Sequence, residues 1–411
     1  MGSDDNIAPI SPEGRRKQGR PPAVLQVVPS LVSGGVERGT VDLAGALVAA
    51  GWTAYVASAG GPMERELART GAQHITLPLA SKNPLVIRRN RAALIEVIRR
   101  CKIDLVHARS RAPAWSAWMA AQAAGRRFVT TFHNAYPIDM PLKQCYNSVM
   151  ARGERVIAIS HFVAEHVAGV YGVDADRLRI IPRGVDLARF DPRRVRGERV
   201  AELATSWRVP DGVAVIMLPG RLTRWKGALD LIEAIARLGR RDLCCLLVGA
   251  EQRPGFRREL ETTIERLGLV GMFRIIEDCH DMPAAYVLAD VVVSASTDPE
   301  GFGRVIVEAQ AMGRPVIATD HGGARETIVP GITGWLVPSH DPAALAGAIA
   351  EALALGREAQ ATLGRRARAQ VAAGYTRELM CARTIGVYEE LLFPEPGTAA
   401  ITQPEPMPIV A

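Results

Sequence analysis

The sequence lacks the segments that mark membrane-spanning and secreted proteins. No stretch approaches the ~20 apolar residues that a membrane-spanning helix needs, and the N-terminal stretch before Pro22 has no apolar core like that of a signal peptide. None of the six cysteines forms a C-x-x-C pair, and no metal-ligand spacing is present. These absences predict a cytoplasmic protein with reduced thiols, no metal site and no cofactor.

Aromatic residues and one-sided charge are also scarce. Aromatic residues make up 5% of the chain, and the formal net charge is +7 over 411 residues. Few aromatic residues and scattered charge disfavour a nucleic-acid binder. A mild positive charge is still compatible with anionic lipid or phosphorylated substrates as partners. The G-x-G-x-x-G fingerprint is absent, which disfavours a dinucleotide site.

Short β-rich runs alternate with longer helical ones in two series, which begin near Val24 and Val213. Alternation of this kind predicts parallel βαβ units in doubly wound sheets. The predicted fold is therefore α/β, with two facing Rossmann-like domains and a cleft between them. The predicted strands are Val24–Pro29, Thr53–Ser58, Leu105–His107, Phe128–Phe132, Arg155–Ala158, Val213–Pro219, Leu243–Val248, Phe273–Ile276, Val291–Ser294 and Pro315–Ala318. The predicted segments are a disordered tail at 1–21, a first Rossmann-like domain at 22–190, a linker at 191–211, a second Rossmann-like domain at 212–375, a closing helix at 376–393 and a disordered tail at 394–411.

Four places in the first series could bind a ligand. Gly34 and Gly35 stand in a strand-to-helix turn, where backbone amides and the helix dipole favour an anion; a plain tight turn is the alternative. His133 follows a strand at the edge where ligands bind, although a lone histidine is more often structural. Ser160 is explained by helix capping alone. Arg183 lies in the loop where the first domain ends, facing the expected cleft.

The second series carries cations and carboxylates in its strand-to-helix turns. Arg221 and Lys226 lie five residues apart beside a helix start, which suits a pyrophosphate; solvated surface cations are the alternative. Glu300 and Glu308 lie eight residues apart, on either side of the start of a predicted helix. Carboxylates near a helix start are often only caps.

The ordered set of short motifs resembles the retaining glycosyltransferases of family 4, which have the GT-B fold. The set includes "SGGVER", "TFHN", "GRLTRWKG", "LADVVVSAS", "GRPVIATDHGGARETI" and "GITGWLVP", with Glu300 and Glu308 forming the E-x7-E motif. The agreement extends roughly from Val24 to Leu392. A single E-x7-E would be a weak signal, whereas this order and spacing are highly specific.

The resemblance implies that the domain at 22–190 binds the acceptor and the domain at 212–375 binds the nucleotide-sugar donor, and it implies a role for each matching residue. Glu308 would bind the ribose of a nucleotide diphosphate sugar, and Glu300 the hydroxyl groups of its sugar. The other implied donor contacts are Arg221 and Lys226 on the diphosphate, Gly34 and Gly35 near the sugar-linked phosphate, Gly301, Phe302 and Gly303 around the sugar, and Asp278 and Cys279 near the base. His133, Arg221, Lys226 and Glu300 would be catalytic, and Ser160 and Arg183 would belong to the acceptor side. Arg183 departs from the family, which usually has asparagine there.

The implied reaction is a metal-independent, retaining sugar transfer without a protein nucleophile. The expected acceptor is a lipid-linked or lipopolysaccharide-type envelope glycan. A basic helix face formed by Arg88, Arg89, Arg91, Arg99, Arg100 and Lys102 would suit peripheral binding to the anionic inner face of the cell membrane, with a solvated face as the alternative. The other functions left open are a nucleotide-sugar epimerase of the same fold and a non-catalytic sugar-nucleotide-binding module.

Overall fold

The computed structural model describes residues 20–32, 34–136 and 141–394. Its strands are β1 (Ala23–Val27), β2 (Thr53–Ser58), β3 (Gln73–Thr76), β4 (Leu105–Ala108), β5 (Arg127–Phe132), β6 (Arg155–Ala158), β7 (Leu178–Ile180), β8 (Ala214–Pro219), β9 (Leu243–Val248), β10 (Phe273–Ile276), β11 (Val291–Ser294), β12 (Val316–Thr319) and β13 (Trp335–Val337). All the pairings between them that the structure describes are parallel. The predicted α/β class with two Rossmann-like sheets is therefore confirmed.

Helices connect successive strands. They are α1 (Gly35–Ala49), α2 (Glu64–Arg69), α3 (Pro84–Arg100), α4 (Arg111–Ala123), α5 (Pro141–Asn147), α6 (His161–Tyr171), α7 (Gly197–Ser206), α8 (Ala228–Leu238), α9 (Phe256–Arg266), α10 (Met282–Leu288), α11 (Arg304–Ala311), α12 (Ala324–Thr327), α13 (Pro342–Ala354), α14 (Arg357–Gly374) and α15 (Arg377–Leu392). In the described part of the chain, no helix combines the length and apolar character needed to cross a bilayer.

The first sheet has seven strands in the order β3-β2-β1-β4-β5-β6-β7. Every residue of β1 is buried, as expected for a central parallel strand whose two faces are covered. The chain order reverses on the two sides of β1, which pairs with β2 on one side and β4 on the other. In doubly wound sheets, ligands bind beyond the carboxyl ends of the strands at such a reversal.

The second sheet has six strands in the order β10-β9-β8-β11-β12-β13. β9 is buried along its whole length, and Leu243, Cys245 and Leu247 join a core that includes helices α8 and α13, through Ile235 and Ile349. The order reverses at β8, so the carboxyl ends of β8 and β11 lie next to each other. The loops after these two strands therefore share one edge of the sheet.

Several elements differ from the sequence-based prediction. The segment predicted as a linker contains α7 and a short 3-10 helix at Pro192–Arg194, and Arg199 of α7 forms an ion pair with Asp281 (2.6 Å). Strands β3, β7 and β13 were not predicted. The predicted tails lie outside the described residues, apart from Arg20, Pro21 and Pro394. All six cysteines lie among the described residues, and no disulfide bond joins any two of them.

Two compact units are distinguished by their internal contacts. The first contains the described chain up to Thr130, Arg152–Glu154 and the chain from Tyr388 onward. The second contains Thr131–Ala151 and Arg155–Val387. The predicted domain boundaries stay a prediction.

Candidate functional site

An ion pair between Lys226 and Glu300 stands at the reversal point of the second sheet. Lys226 follows β8 and Glu300 follows β11, and the Lys226 Nζ donates to Glu300 Oε1 at 2.6 Å. The two side chains are 12% and 17% exposed. The Lys226 ammonium also lies 4.5 Å from the centre of the Trp225 ring. Two residues that the sequence places 74 positions apart thus form one charged centre.

The Glu300 carboxylate is ionised because several groups counter its burial. Burial alone would raise the pKa of Glu300, but the Lys226 ammonium, the Ser296 hydroxyl and His321 together hold this pKa below its ordinary value. Ser296 Oγ donates to Oε1, the same oxygen that Lys226 binds. Among the described residues, no hydrogen bond to Glu300 Oε2 is present. One oxygen is thus held by the protein, and the other is available to a ligand.

Glu308 lies on the first turns of α11 and is buried. Its Oε1 accepts from Arg304 (2.6 Å) and its Oε2 from the Tyr286 hydroxyl (3.0 Å). The cap of α11 is Gly303, without a side-chain hydrogen bond, so neither Glu300 nor Glu308 caps this helix. Burial, and after it the Glu308 carboxylate, raises the pKa of Tyr286 well above its ordinary value. Tyr286 is therefore a permanent donor that orients Glu308.

Removing this donor tests the orientation of Glu308. We expect Tyr286→Phe to lower the free energy of unfolding by about 1–2 kcal/mol, because a buried carboxylate oxygen loses its partner. We also expect weaker nucleotide binding. Urea unfolding and calorimetry measure the two effects. The matched control is Tyr388→Phe, which removes a buried hydroxyl bound to His107 Nδ1 (2.6 Å); it should lose similar stability without changing nucleotide affinity. Equal nucleotide affinity in both variants would contradict the orienting role.

The remaining predicted donor contacts of the second sheet are less constrained. Arg221 is exposed and has no ion pair within the described chain. Asp278 is exposed and pairs with His280 (3.1 Å). Cys279 is partly buried, and this burial raises the pKa of its thiol. Over residues 20–32, 34–136 and 141–394, no group of three or more His, Cys, Asp or Glu side chains is arranged to hold a metal ion.

His133 and Arg183 lie together. The Arg183 Nη1 is 3.4 Å from His133 Nδ1, and Arg183 is 5% exposed. Because a guanidinium only donates, Nδ1 is the acceptor and the ring proton lies on Nε2. His133 is therefore arranged as a hydrogen-bond donor through Nε2. A β-carbon on Gly301 would lie 2.9 Å from the His133 carbonyl oxygen, so the loop that carries Glu300 lies against the backbone of His133.

Ser160 is a helix cap, as its sequence context predicted. Its hydroxyl oxygen accepts from the Val163 amide (3.1 Å) at the start of α6. The two preceding amides, those of His161 and Phe162, donate to the Glu326 carboxylate at 2.9 and 2.8 Å. All three amides at this helix start are therefore bound by side chains of the protein, and an anionic ligand there would have to displace Glu326.

The glycine turn of the first sheet belongs to the other compact unit. Gly35 begins α1, and Gly34 precedes it in extended backbone; Ser33 lies outside the described residues. A β-carbon on Gly34 would lie 2.2 Å from a Glu37 carboxylate oxygen. The start of α1 thus has an acidic side chain close by, which weakens its attraction for a phosphate unless Glu37 turns away.

Four residues of the site were not predicted: Tyr286, Ser296, Arg304 and His321. Arg304 precedes Glu308 by four residues on one helix, a spacing that could have indicated the pair. His321 follows β12, so its place at the carboxyl edge could also have been inferred. Ser296 and Tyr286 are recognisable only once the strands are assembled.

Two family models match the chain. Residues 33–189 match Glycosyltransferase Family 4, and residues 201–370 match Glycosyl transferases group 1. A glycosyltransferase from Rickettsia africae ESF-5 is 39% identical; the match covers 91% of this chain and 100% of that one, with a TM-score of 0.84. Anabaena HepE in complex with UDP is 23% identical with a TM-score of 0.78 over 90% of this chain and 100% of that one, and it shares the fold.

Curated relatives match part of the chain. The D-inositol 3-phosphate glycosyltransferase of Xylanimonas cellulosilytica is 33% identical over 254 residues, which are 58% of this chain and 60% of that protein. The protein of the same name from Nocardia farcinica is 34% identical over 202 residues, 47% of this chain and 43% of that protein. The chain thus spans about 60% or less of the length of these two relatives. With the two family models and the full-length match to the Rickettsia protein, the chain belongs to the group 1 glycosyltransferases and has a Glycosyltransferase Family 4 domain in its first half.

Proposed function

We propose that the chain transfers a sugar from a nucleotide diphosphate sugar to an acceptor hydroxyl group. The observation that carries this proposal is the Lys226–Glu300 pair at the reversal point of the second sheet, with Glu308 on the helix that follows. Nucleotides bind at such points in doubly wound sheets. A cation suits the diphosphate, and carboxylates suit hydroxyl groups. Membership of the family supports the same reaction.

Each group has a distinct task in this proposal. Lys226 and Arg221 stabilise the negative charge that grows on the leaving diphosphate. Glu300 accepts hydrogen bonds from sugar hydroxyls through Oε2, assisted by the amides of Phe302 and Gly303. Glu308 accepts from the ribose hydroxyls. Its oxygens already bind Arg304 and Tyr286, but a carboxylate oxygen has two lone pairs and can accept a second hydrogen bond.

The proposed reaction retains the configuration of the sugar and uses no metal. The bond from the anomeric carbon to the phosphate oxygen breaks, the bond to the acceptor oxygen forms on the same face, and the acceptor proton passes to the departing diphosphate. His133, with its proton on Nε2, donates a hydrogen bond to the sugar and is not a base. Proton NMR of the product gives its anomeric configuration. Undiminished turnover in EDTA is expected; an inverted product or loss in EDTA would contradict these two points.

The acceptor is proposed to carry a phosphate group. The curated relatives are named for D-inositol 3-phosphate, and these names do not support the lipopolysaccharide-type acceptor expected from the sequence. A buried Arg183 guanidinium beside His133 supports an anionic acceptor in place of a neutral one. Arg183→Asn, the residue usual in the family, is expected to raise the KM of a phosphorylated acceptor more than that of the unphosphorylated one. An equal increase in KM for both acceptors would contradict the proposal that Arg183 binds a phosphate group of the acceptor.

The basic face of α3 is proposed to bind anionic membranes. Five of the six predicted basic residues lie on α3 and are exposed; Lys102, also exposed, lies beyond the end of the helix with φ 50° and is not part of this face. Leu94, Val97 and Ile98 on the other side of α3 are buried. Leu85 at the start of the helix is 71% exposed and could enter the lipid interface. Neutralising Arg88, Arg89, Arg99 and Arg100 should abolish co-sedimentation with anionic vesicles. The control neutralises four exposed arginines elsewhere: Arg240, Arg241, Arg365 and Arg366. If the variant with the four neutralised arginines of α3 still binds the vesicles, this face is only a solvated surface.

A donor screen tests the main proposal. The panel contains UDP-glucose, UDP-galactose, UDP-N-acetylglucosamine, ADP-glucose and GDP-mannose, and a bound donor raises the melting temperature by mass action. The donor that binds is then incubated alone, with inositol 3-phosphate and with inositol. Glycosylation of an added acceptor supports a transferase. Isomerisation of the donor alone would indicate an epimerase, and binding without any reaction would indicate a binding module.

A further inference from the structure

His321 makes a contact that shows which of its ring nitrogens carries a proton. The carbonyl oxygen of Ser296 accepts from the Thr319 hydroxyl at 2.7 Å and lies 2.8 Å from His321 Nε2. A carbonyl oxygen cannot donate, so Nε2 carries the proton. In the neutral ring Nδ1 therefore has a lone pair and can accept a hydrogen bond.

The other ring nitrogen is buried without a partner. His321 Nδ1 has no hydrogen bond among the described residues. Buried polar atoms are almost always paired, and the exceptions often mark sites that are completed by a ligand or a water molecule. The ring lines a small cavity of about 10 Å³, which has room for one water-sized group such as a hydroxyl, together with Glu300, Ser294, Ser296, Ile306, Thr319 and Ala324. The orphaned acceptor and the Glu300 carboxylate thus border the same space.

The loop that carries His321 is fixed to the backbone of Glu300. The Gly323 amide donates to the Glu300 carbonyl oxygen at 2.8 Å. A β-carbon on Gly322 would lie 2.4 Å from that same oxygen, so the two loops are in direct backbone contact. The Ser296 hydroxyl donates to Glu300 Oε1, and the Ser296 carbonyl binds His321. The imidazole ring therefore has a fixed position relative to the carboxylate.

We propose that His321 is a second residue that recognises the donor sugar, with Nδ1 accepting a hydrogen bond from a sugar hydroxyl or amide group next to the one bound by Glu300. This inference rests on the proposed function. It predicts that the sugar of the donor carries an O–H or N–H group at the position that faces His321. A donor that is deoxygenated there would leave Nδ1 buried and unpaired.

Three substitutions distinguish a sugar-binding role of His321 from a purely structural role. His321→Gln keeps an amide donor close to the place of Nε2, so the Ser296 contact remains while Nδ1 is lost. His321→Asn places a polar group near Nδ1 but cannot reach the Ser296 carbonyl. His321→Phe removes both contacts. Calorimetric titrations use UDP, GDP, ADP and the five nucleotide sugars of the panel above, and melting temperatures report the structural effect.

The recognition role predicts a specific pattern. For His321→Gln we expect an unchanged melting temperature, an unchanged Kd for the free nucleoside diphosphate and about a tenfold weaker Kd for the nucleotide sugar, the loss of one hydrogen bond to a buried group. A purely supporting role predicts that His321→Gln behaves like the wild type while His321→Asn and His321→Phe lose stability and affinity for both ligands. That second pattern overturns the inference and leaves the proposed function intact. If the wild type binds none of the nucleotide sugars, both fail.

Discussion

Replacing Glu300 by glutamine is expected to lower kcat/KM for the nucleotide sugar about 30- to 100-fold. The change removes the charge from the oxygen that accepts sugar hydroxyls, and a hydrogen bond to a charged group is worth about 1.5–3 kcal/mol. It also leaves the largely buried Lys226 ammonium without its partner. Steady-state kinetics with the donor identified by the panel measures the loss.

The matched control for this variant is Glu261→Gln. Glu261 is 48% exposed and pairs with Arg257 on the same helix, so its carboxylate is also part of an ion pair of the second unit. Surface pairs of this kind contribute little, and we expect kcat/KM to be unchanged. Near-wild-type turnover of Glu300→Gln at saturating donor would show that Glu300 is not placed against the sugar.

The same carboxylate predicts how stability depends on pH. Because the pKa of Glu300 is lower in the folded chain than its ordinary value of 4.5, the folded state favours the ionised form. Its contribution to stability is fully present above about pH 5 and is lost as the pH falls through the folded-state pKa. The difference in unfolding free energy between wild type and Glu300→Gln should therefore be constant from pH 7 to 5.5 and shrink at lower pH. A difference that grows on acidification would contradict the ion pair.

Gly227→Ala is expected to cost roughly 4 kcal/mol or more and to lower the melting temperature of the second unit by roughly 10 °C. Gly227 has φ +72°, a left-handed conformation that costs other residues about 1–2 kcal/mol. A β-carbon there would also lie 1.8 Å from the Ala295 carbonyl oxygen. The turn between Lys226 and α8 would have to move away from β11, which separates Lys226 from Glu300, so donor binding should fall as well.

Gly239→Ala provides the control at the opposite end of the same helix. Gly239 has φ +64°, but no atom lies within 4 Å of its added β-carbon. This variant has the backbone cost without the overlap, so we expect a loss of about 1–2 kcal/mol and unchanged donor affinity. Thermal unfolding and calorimetry compare the two variants. Equal losses in both would mean that the close approach of Gly227 to Ala295 is unimportant.

Strands that consist of apolar runs were predicted well from the sequence, and strands that are very short or mostly polar were missed. β2, β6, β9, β10 and β11 have the predicted bounds. Where strands and helices alternate along the chain, a short apolar run between turn residues is readily recognised as a strand. β3 has one apolar residue, Ile75, among its four, and β13 has only three residues, so neither presents a clear apolar run. α7 was not predicted, because its segment is rich in arginine and proline and was interpreted as a linker.

The site was predictable residue by residue but not as an arrangement. Glu300 and Lys226 could be named because each stands in a loop after a strand and matches a family motif. Their pairing depends on β8 lying beside β11, a long-range contact that local pattern does not encode. The same holds for Tyr286, which reaches Glu308 from a different helix, and for His321, whose role depends on the carbonyl of Ser296.

Calorimetric titration of wild type, Glu300→Gln and Glu308→Gln tests the central claim most directly, with the free nucleoside diphosphate and its nucleotide sugar as ligands. If the two glutamates bind opposite ends of one donor, Glu308→Gln weakens the binding of both ligands. Glu300→Gln weakens the binding of the nucleotide sugar only, because Lys226 without its carboxylate partner still binds the diphosphate. Wild-type affinity for both ligands in both variants would contradict the claim.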